Sequence, residues 1–252
     1  MDLGLRDRVY LVTGATSGLG LASAEQLVAE GARVVVSARS ELELLAVAAA
    51  LDDAACVTVA ADNADASTPD MLVEAAITRW GRLDGALVSV GGPEYGPVTA
   101  ISDEQWRAAF ESVFLGAVRI ARAVAGVVDE GGSIAFVLSS SVRQPIAGLA
   151  ISNGLRPGLA MVAKTLADEV GPAGIRVNGL LPARIDTARV RERDSRTGDA
   201  EASRAAAVEA IPLRRYGTPE EFGRVAAFLL SPAASYLTGA MVPVDGGAIR
   251  AL

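Results

Sequence analysis

Two patterns of apolar residues alternate along the chain, one typical of strands and one typical of helices. Short apolar, β-branched segments predict seven strands: RVYLVTG, GARVVVSAR, CVTVAAD, DGALVSVGG, SIAFVLSSS, IRVNGLL and MVPVDGG. A helical pattern separates each segment from the next. Near-continuous apolar strands with helices between them are typical of a parallel sheet that is covered on both faces. The sequence therefore predicts an α/β fold, a doubly wound parallel sheet that forms one domain over residues 1–252.

Capping signals mark the starts of two helices. Ser102 with Gln105, and Thr218 with Glu221, have the spacing of capping boxes. After the first box, apolar residues recur at steps of three and four: Trp106, Phe110, Val113, Ala117, Ile120 and Val124. This spacing predicts one helix with a single buried face.

Composition limits the classes of partner. The net charge of −7 argues against a generic nucleic-acid binder, because contacts to phosphate need clustered Lys and Arg. Cys56 is the only cysteine and the chain start lacks a long apolar segment, which predicts a cytoplasmic protein without a disulfide. Charges interrupt every apolar run well before the roughly 20 residues that span a bilayer. We therefore expect neither nucleic-acid nor membrane binding.

The chain contains no histidine. A Ser-His-Asp triad and a metal site with His ligands are therefore excluded, and with a single cysteine we expect no catalytic metal. Any proton chemistry must come from Tyr, Lys, Asp or Glu.

The segment TGATSGLG joins the first predicted strand to the first predicted helix. Glycines allow a tight turn and a close approach of the backbone to a pyrophosphate, while free amides and the helix dipole stabilise the anion. The strand, the spacing and the helix together predict a dinucleotide site. Its expected cofactor contacts are Gly14, Thr16, Ser17, Gly18, Leu19 and Gly20.

The residues after the second and third strands indicate the type of cofactor. Arg39 stands where an acid usually binds the ribose of NAD(H), and an Arg there accommodates a 2′-phosphate. We therefore expect NADP(H), with NAD(H) as the alternative. Asp62 and Asn63 are candidates for binding the adenine amino group, although they are equally typical of a polar turn.

Together with TGATSGLG, five further motifs resemble the short-chain dehydrogenase/reductase family, particularly 3-oxoacyl-(acyl carrier protein) reductases: LVSVGG, SIAFVLSS, GIRVNGLLPARIDT, IPLRRYGTPEEFGRVAAFLLS and LTGAMVPVDGG. The resemblance covers essentially the whole chain. It implies a Rossmann-type fold, hydride transfer between nicotinamide and a carbonyl or alcohol carbon, and a homodimer or homotetramer. It also implies that four residues face the nicotinamide: Gly91, Pro182, Ile185 and Thr187.

The resemblance implies a divergent catalytic site. Ser140 takes the position of the family's substrate-orienting Ser, whereas Ser152 replaces its Tyr and Arg156 its Lys. The family's relay Asn falls on Val113, for which core packing is the better interpretation. Ser is a far weaker acid than a phenol, and Arg stays protonated past pH ~12. The catalytic candidates are therefore Ser140, Ser152 and Arg156.

Local propensity and the resemblance differ on the helix that carries these residues. Gly154, Pro157 and Gly158 are poor helix formers, and propensity alone begins the helix at Pro157. The resemblance begins it nearer Ser152.

Three hypotheses for the reaction stay open. Tyr95, after the fourth strand, is a relocated proton donor or merely a wall of the pocket. Alternatively, water or substrate supplies the proton while Ser140, Ser152 and Arg156 polarise a carbonyl. In the third hypothesis the protein binds NADP(H) without turnover, as a sensor or as the silent subunit of a hetero-oligomer.

The resemblance assigns residues 188–215 to the segment that closes over the substrate. It begins ARVRERDSR, with Arg in excess over acids. The excess favours an anionic small molecule or an acyl thioester, with a solvated charged surface as the alternative.

Overall fold

The computed structural model describes residues 2–196 and 198–251, so residues 1, 197 and 252 of the predicted domain lie outside the described part. The described residues form one parallel sheet with the order β3-β2-β1-β4-β5-β6-β7. Its strands are β1 Val9–Thr13, β2 Arg33–Ala38, β3 Cys56–Ala60, β4 Gly85–Val88, β5 Ser133–Val137, β6 Arg176–Pro182 and β7 Met241–Val244. All seven predicted strands and the doubly wound fold are confirmed. The strand order reverses between β1 and β4, which is where ligands bind in such sheets.

Helices cover both faces of the sheet. They are α1 Gly18–Ala29, α2 Glu41–Ala50, α3 Thr68–Trp80, α4 Asp103–Ala109, α5 Gly116–Ala125, α6 Ala150–Val170, α7 Ala188–Ser195, α8 Ala200–Ala210 and α9 Pro219–Leu230. Both predicted capping boxes are present, at the starts of α4 and α9. In the part of the chain that the structure covers, no helix is both long and apolar enough to cross a membrane.

The sheet separates two hydrophobic cores. Along β1, Val9 and Leu11 face one core, and Tyr10 and Val12 face the other, because successive side chains of a strand point to opposite faces. Helices α3, α5 and α6 cover the first core, and α1, α2 and α9 cover the second. The sheet is therefore buried on both faces, which explains the near-continuous apolar runs of its strands.

The predicted single apolar stripe is only half correct. A π-helical segment, Phe110–Leu115, lies between α4 and α5. The positions from Val113 to Val124 are buried, but Trp106 is only partly buried and Phe110 is 40% exposed. A π-helical turn holds an extra residue, so the helix face that precedes it is rotated away from the core.

Helix α6 begins at Ala150, so the start at Pro157 predicted from local propensity was wrong. Packing explains the difference. A Cβ atom at Gly154 would lie 2.9 Å from Cη2 of Trp106, and one at Gly158 would lie 3.2 Å from Cε2 of Phe114. The two glycines thus give α6 a flat surface that the aromatic rings cover. Their low helix propensity, about 1 kcal/mol each, is outweighed by this tertiary contact.

Candidate active site

A cavity of about 260 Å³ opens at the carboxyl ends of β1, β4, β5 and β6. Most of the residues predicted for the site line it: Gly14, Ser17, Gly18, Leu19, Gly20, Gly91, Ser140, Ser152, Arg156, Pro182, Ile185 and Thr187. The predicted residues outside its lining belong to the adenosine end of the expected site: Thr16, Arg39, Asp62 and Asn63. The fold therefore brings the nicotinamide-side and catalytic candidates together in one pocket.

The glycine turn has the backbone geometry of an anion site. Gly14 and Gly18 have φ angles of +58° and +56°, which residues with a side chain rarely adopt. A Cβ atom at Gly20 would overlap the carbonyl of Gly14, so the chain can pass this closely only at a glycine. Ser17 caps α1 without a side-chain bond, and the first-turn amides of a helix have no partner within it. The turn therefore fits a pyrophosphate.

At the adenosine end, Arg39 is exposed just beyond β2. One carboxylate oxygen of Asp62 accepts the amide N–H of Ala64 at 2.9 Å, as in a polar turn. The hydroxyl of Thr16 donates to the Glu43 carboxylate at 2.8 Å. Glu43 could not be identified from the sequence, because its contact joins the glycine turn to α2, a separate element.

Three serines surround the start of α6. Ser140 is buried at the pocket, and the buried Ser152 hydroxyl lies 3.2 Å from the hydroxyl of Ser141. The Ser139 side chain accepts the amide N–H of Ser141 and caps the turn. Sequence reasoning missed Ser141, because three consecutive serines do not reveal which one faces α6.

Arg156 is a buried cation, with 5% of its surface exposed. Its guanidinium donates to the main-chain carbonyl of Val137, at the end of β5, and to that of Val90, after β4, at 3.4 Å. No carboxylate of the described residues pairs with it. Burial, and then the nearby Arg189 guanidinium, lower the pKa of Arg156 to about 10. The charge is thus held in the pocket against a desolvation penalty.

Tyr95 and Arg189 line one side of the pocket and contact each other. The guanidinium of Arg189 lies 4.4 Å from the centroid of the Tyr95 ring and also donates to the carbonyl of Pro93. The Tyr95 hydroxyl donates to the main-chain carbonyl of Arg189 at 3.0 Å. Burial raises the pKa of Tyr95, which makes it a weaker acid. The sequence showed the arginine excess of this segment, but not that Arg189 faces the pocket.

Residues 188–215 contain α7 and α8, with residue 197 outside the described part. The buried Asp194 anchors α7: it pairs with Arg184, which follows β6, and accepts the Tyr216 hydroxyl at 2.9 Å. Exposed arginines of the segment pair locally, as Arg191 does with Asp186 at 3.4 Å. The segment is thus fixed to the rim of the pocket.

Val113 is 2% exposed in the π-helical segment. Its side chain carries no polar atom, so it cannot hold a water through a side-chain hydrogen bond.

Comparisons with known proteins agree with this geometry. The family model described as enoyl-(acyl carrier protein) reductase matches residues 14–248. An uncharacterized oxidoreductase of Mycobacterium tuberculosis is 38% identical over 96% of this chain and 92% of its own length. Levodione reductase of Leifsonia aquatica is 36% identical over 96% of this chain and 94% of its own.

A solved structure, L-sorbose reductase of Gluconobacter frateurii complexed with NADPH and L-sorbose, is 31% identical. It superposes with a TM-score of 0.92 over 100% of both chains. The sheet, the glycine turn and these matches lead to one conclusion: the chain belongs to the short-chain dehydrogenase/reductase family of NAD(P)-dependent oxidoreductases.

Proposed function

We propose that this protein is an NADP(H)-preferring oxidoreductase that reduces a carbonyl, or oxidises the corresponding alcohol, with Arg156 facing the reacting oxygen in place of a phenol. The observation that carries the proposal is the buried guanidinium of Arg156 between the ends of β4 and β5, without a carboxylate partner among the described residues. A permanent cation in a pocket of low polarity stabilises developing negative charge on an oxygen.

A bound nicotinamide cofactor would supply or accept the hydride. The amides of the glycine turn would hold its pyrophosphate, and Gly91, Pro182, Ile185 and Thr187 would form the wall beside its ring. Arg39 would bind the 2′-phosphate, and Asp62 and Asn63 would bind the adenine. The NADPH bound to the related L-sorbose reductase supports this preference.

In the reducing direction, hydride adds to the carbonyl carbon, the C=O π electrons move to oxygen, and the oxygen takes a proton. Arg156 stabilises the oxyanion, and the hydroxyls of Ser140 and Ser152 donate hydrogen bonds to it. Water supplies the proton, because the Tyr95 hydroxyl is committed to a backbone carbonyl and Tyr95 serves as a wall. A missing acid slows such a step by roughly 10²–10⁴-fold without preventing it.

Binding without turnover is the second candidate, favoured by the Ser at position 152 and the buried Val113. In that case the protein is a sensor or the silent subunit of a hetero-oligomer. For the active enzyme we propose a cytoplasmic homodimer or homotetramer acting on a small molecule or an acyl thioester, and light scattering measures its mass.

Calorimetric titration with NADPH and NADH tests the cofactor site. We expect tighter binding of NADPH and loss of the difference in Arg39→Ala, whereas equal affinity of the wild-type protein for both cofactors contradicts the assignment of Arg39. NADPH consumption is then followed with ketones, quinones and 3-oxoacyl thioesters. Tight binding without consumption, with turnover restored by Ser152→Tyr plus Arg156→Lys, would favour the silent protein.

A further inference from the structure

The pocket has an unbalanced positive charge. Three arginines line it, Arg156, Arg189 and Arg193, and the described lining residues include no Asp or Glu. This occurs in a protein whose net charge is −7. Buried cations are usually paired, because an unpaired charge in a poorly solvated site is expensive. We therefore expect an anionic ligand to bind in the pocket and balance this positive charge.

The position of the arginines separates them from the phosphates of a cofactor. The glycine turn that fits a pyrophosphate follows β1. Arg156 instead bonds to the main chain after β4 and at the end of β5. Arg189 lies on Gly92 and Pro93, also after β4, and a Cβ atom at Gly92 would overlap its guanidinium. The positive charge thus faces the substrate side of the pocket.

Arg189 and Arg193 differ in how they are held. Arg189 is fixed by the ring of Tyr95 and by the carbonyl of Pro93. Arg193 lies one turn further along α7, is half-buried, and makes no hydrogen bond or ion pair with the described residues. A planar guanidinium binds a carboxylate through two parallel hydrogen bonds. The pair therefore offers one rigid and one adjustable donor group.

We infer that the substrate is an oxo acid, whose carboxylate binds Arg189 and Arg193 while its carbonyl oxygen faces Arg156. This inference rests on the proposed function. Hydride from the reduced cofactor adds to the oxo carbon and a proton from water adds to the oxygen, which yields a hydroxy acid and the oxidised cofactor. The carboxylate itself is unchanged by the reaction.

Calorimetry on the NADP⁺-loaded protein tests the carboxylate site without turnover. The probes are pyruvate, acetoacetate and levulinate, which place the carboxylate progressively further from the ketone, each beside its neutral methyl ester. We expect at least one acid to bind roughly ten- to hundredfold more tightly than its ester, the range for a charge-assisted hydrogen bond. Arg193→Gln should remove most of this difference.

Arg191→Gln is the matched control, because Arg191 lies on the same helix with its side chain 66% exposed and paired with Asp186. It should keep the preference for the acid. The inference is overturned if the esters bind as well as the acids, if no acid binds, or if a neutral acetoacetyl thioester binds more tightly than acetoacetate. Failure of NADP⁺ itself to bind would instead refute the proposed cofactor site, so the two failures are distinguishable.

Discussion

Replacing Arg156 by Met should leave the stability of the protein nearly unchanged while removing the proposed activity. Burial lowers the pKa of Arg156 to about 10, well below the usual value of an arginine, which corresponds to about 3 kcal/mol of destabilisation by the charge at neutral pH. Met removes this penalty together with two hydrogen bonds to carbonyls, each worth about 1–1.5 kcal/mol. The two effects nearly cancel, so we expect a change within about 1 kcal/mol.

The pH dependence of the free energy of unfolding separates the effect of the Arg156 charge from the effect of its hydrogen bonds. The pKa of Arg156 is about 10 in the folded chain, whereas in the unfolded chain it returns to the higher value usual for an arginine. The unfolded state therefore binds more protons between these values, and stability rises with pH there. From pH 9 to pH 11 the wild-type protein should gain about 1 kcal/mol relative to Arg156→Met.

Urea unfolding followed by circular dichroism, at pH 7, 9 and 11, measures both effects. The control is Arg176→Met at the other buried arginine, whose guanidinium donates to four carbonyls around the end of α9, including Ser231 at 2.9 Å and Leu229 at 2.8 Å. That change should destabilise by about 3 kcal/mol or more. Equal losses at both positions, or a difference between wild-type and Arg156→Met that does not vary with pH, would refute the reasoning.

Three further changes test other parts of the structure. Gly18→Ala should weaken NADPH binding about tenfold in calorimetry. A side chain at φ +56° is strained by about 1–2 kcal/mol, and its Cβ would lie 3.3 Å from the methyl group of Thr187. Unchanged affinity would contradict the glycine-turn site. Asp194→Asn should speed limited proteolysis within residues 188–215, because the ion pair that anchors α7 is lost; an unaltered cleavage rate would show that the anchor lies elsewhere. Gly154→Leu should lower the free energy of unfolding in urea by about 1–3 kcal/mol, because the Leu side chain collides with Trp106. This loss is expected although Leu is the better helix former. A more stable variant would mean that helix propensity outweighs packing.

The pattern of apolar residues was sufficient for the fold, because the central strands are buried on both faces and most of the helices bury one face. The glycine turn could also be predicted from the sequence, since its backbone angles and close contacts allow hardly any other residue. What the sequence could not supply were contacts between distant segments. These contacts are the packing of Trp106 on α6, the meeting of the Ser141 and Ser152 hydroxyls, and the position of Arg189 at the pocket.

The packing of Trp106 on Gly154 places an indole ring beside the turn of α6 between Ser152 and Arg156. The chain has one other tryptophan, Trp80, which ends α3. In a Trp80→Phe background, the emission spectrum of the remaining indole would follow movements of α6 directly. The molecule thus carries its own fluorescent reporter, packed against the helix that also carries the arginine on which the chemistry is proposed to depend.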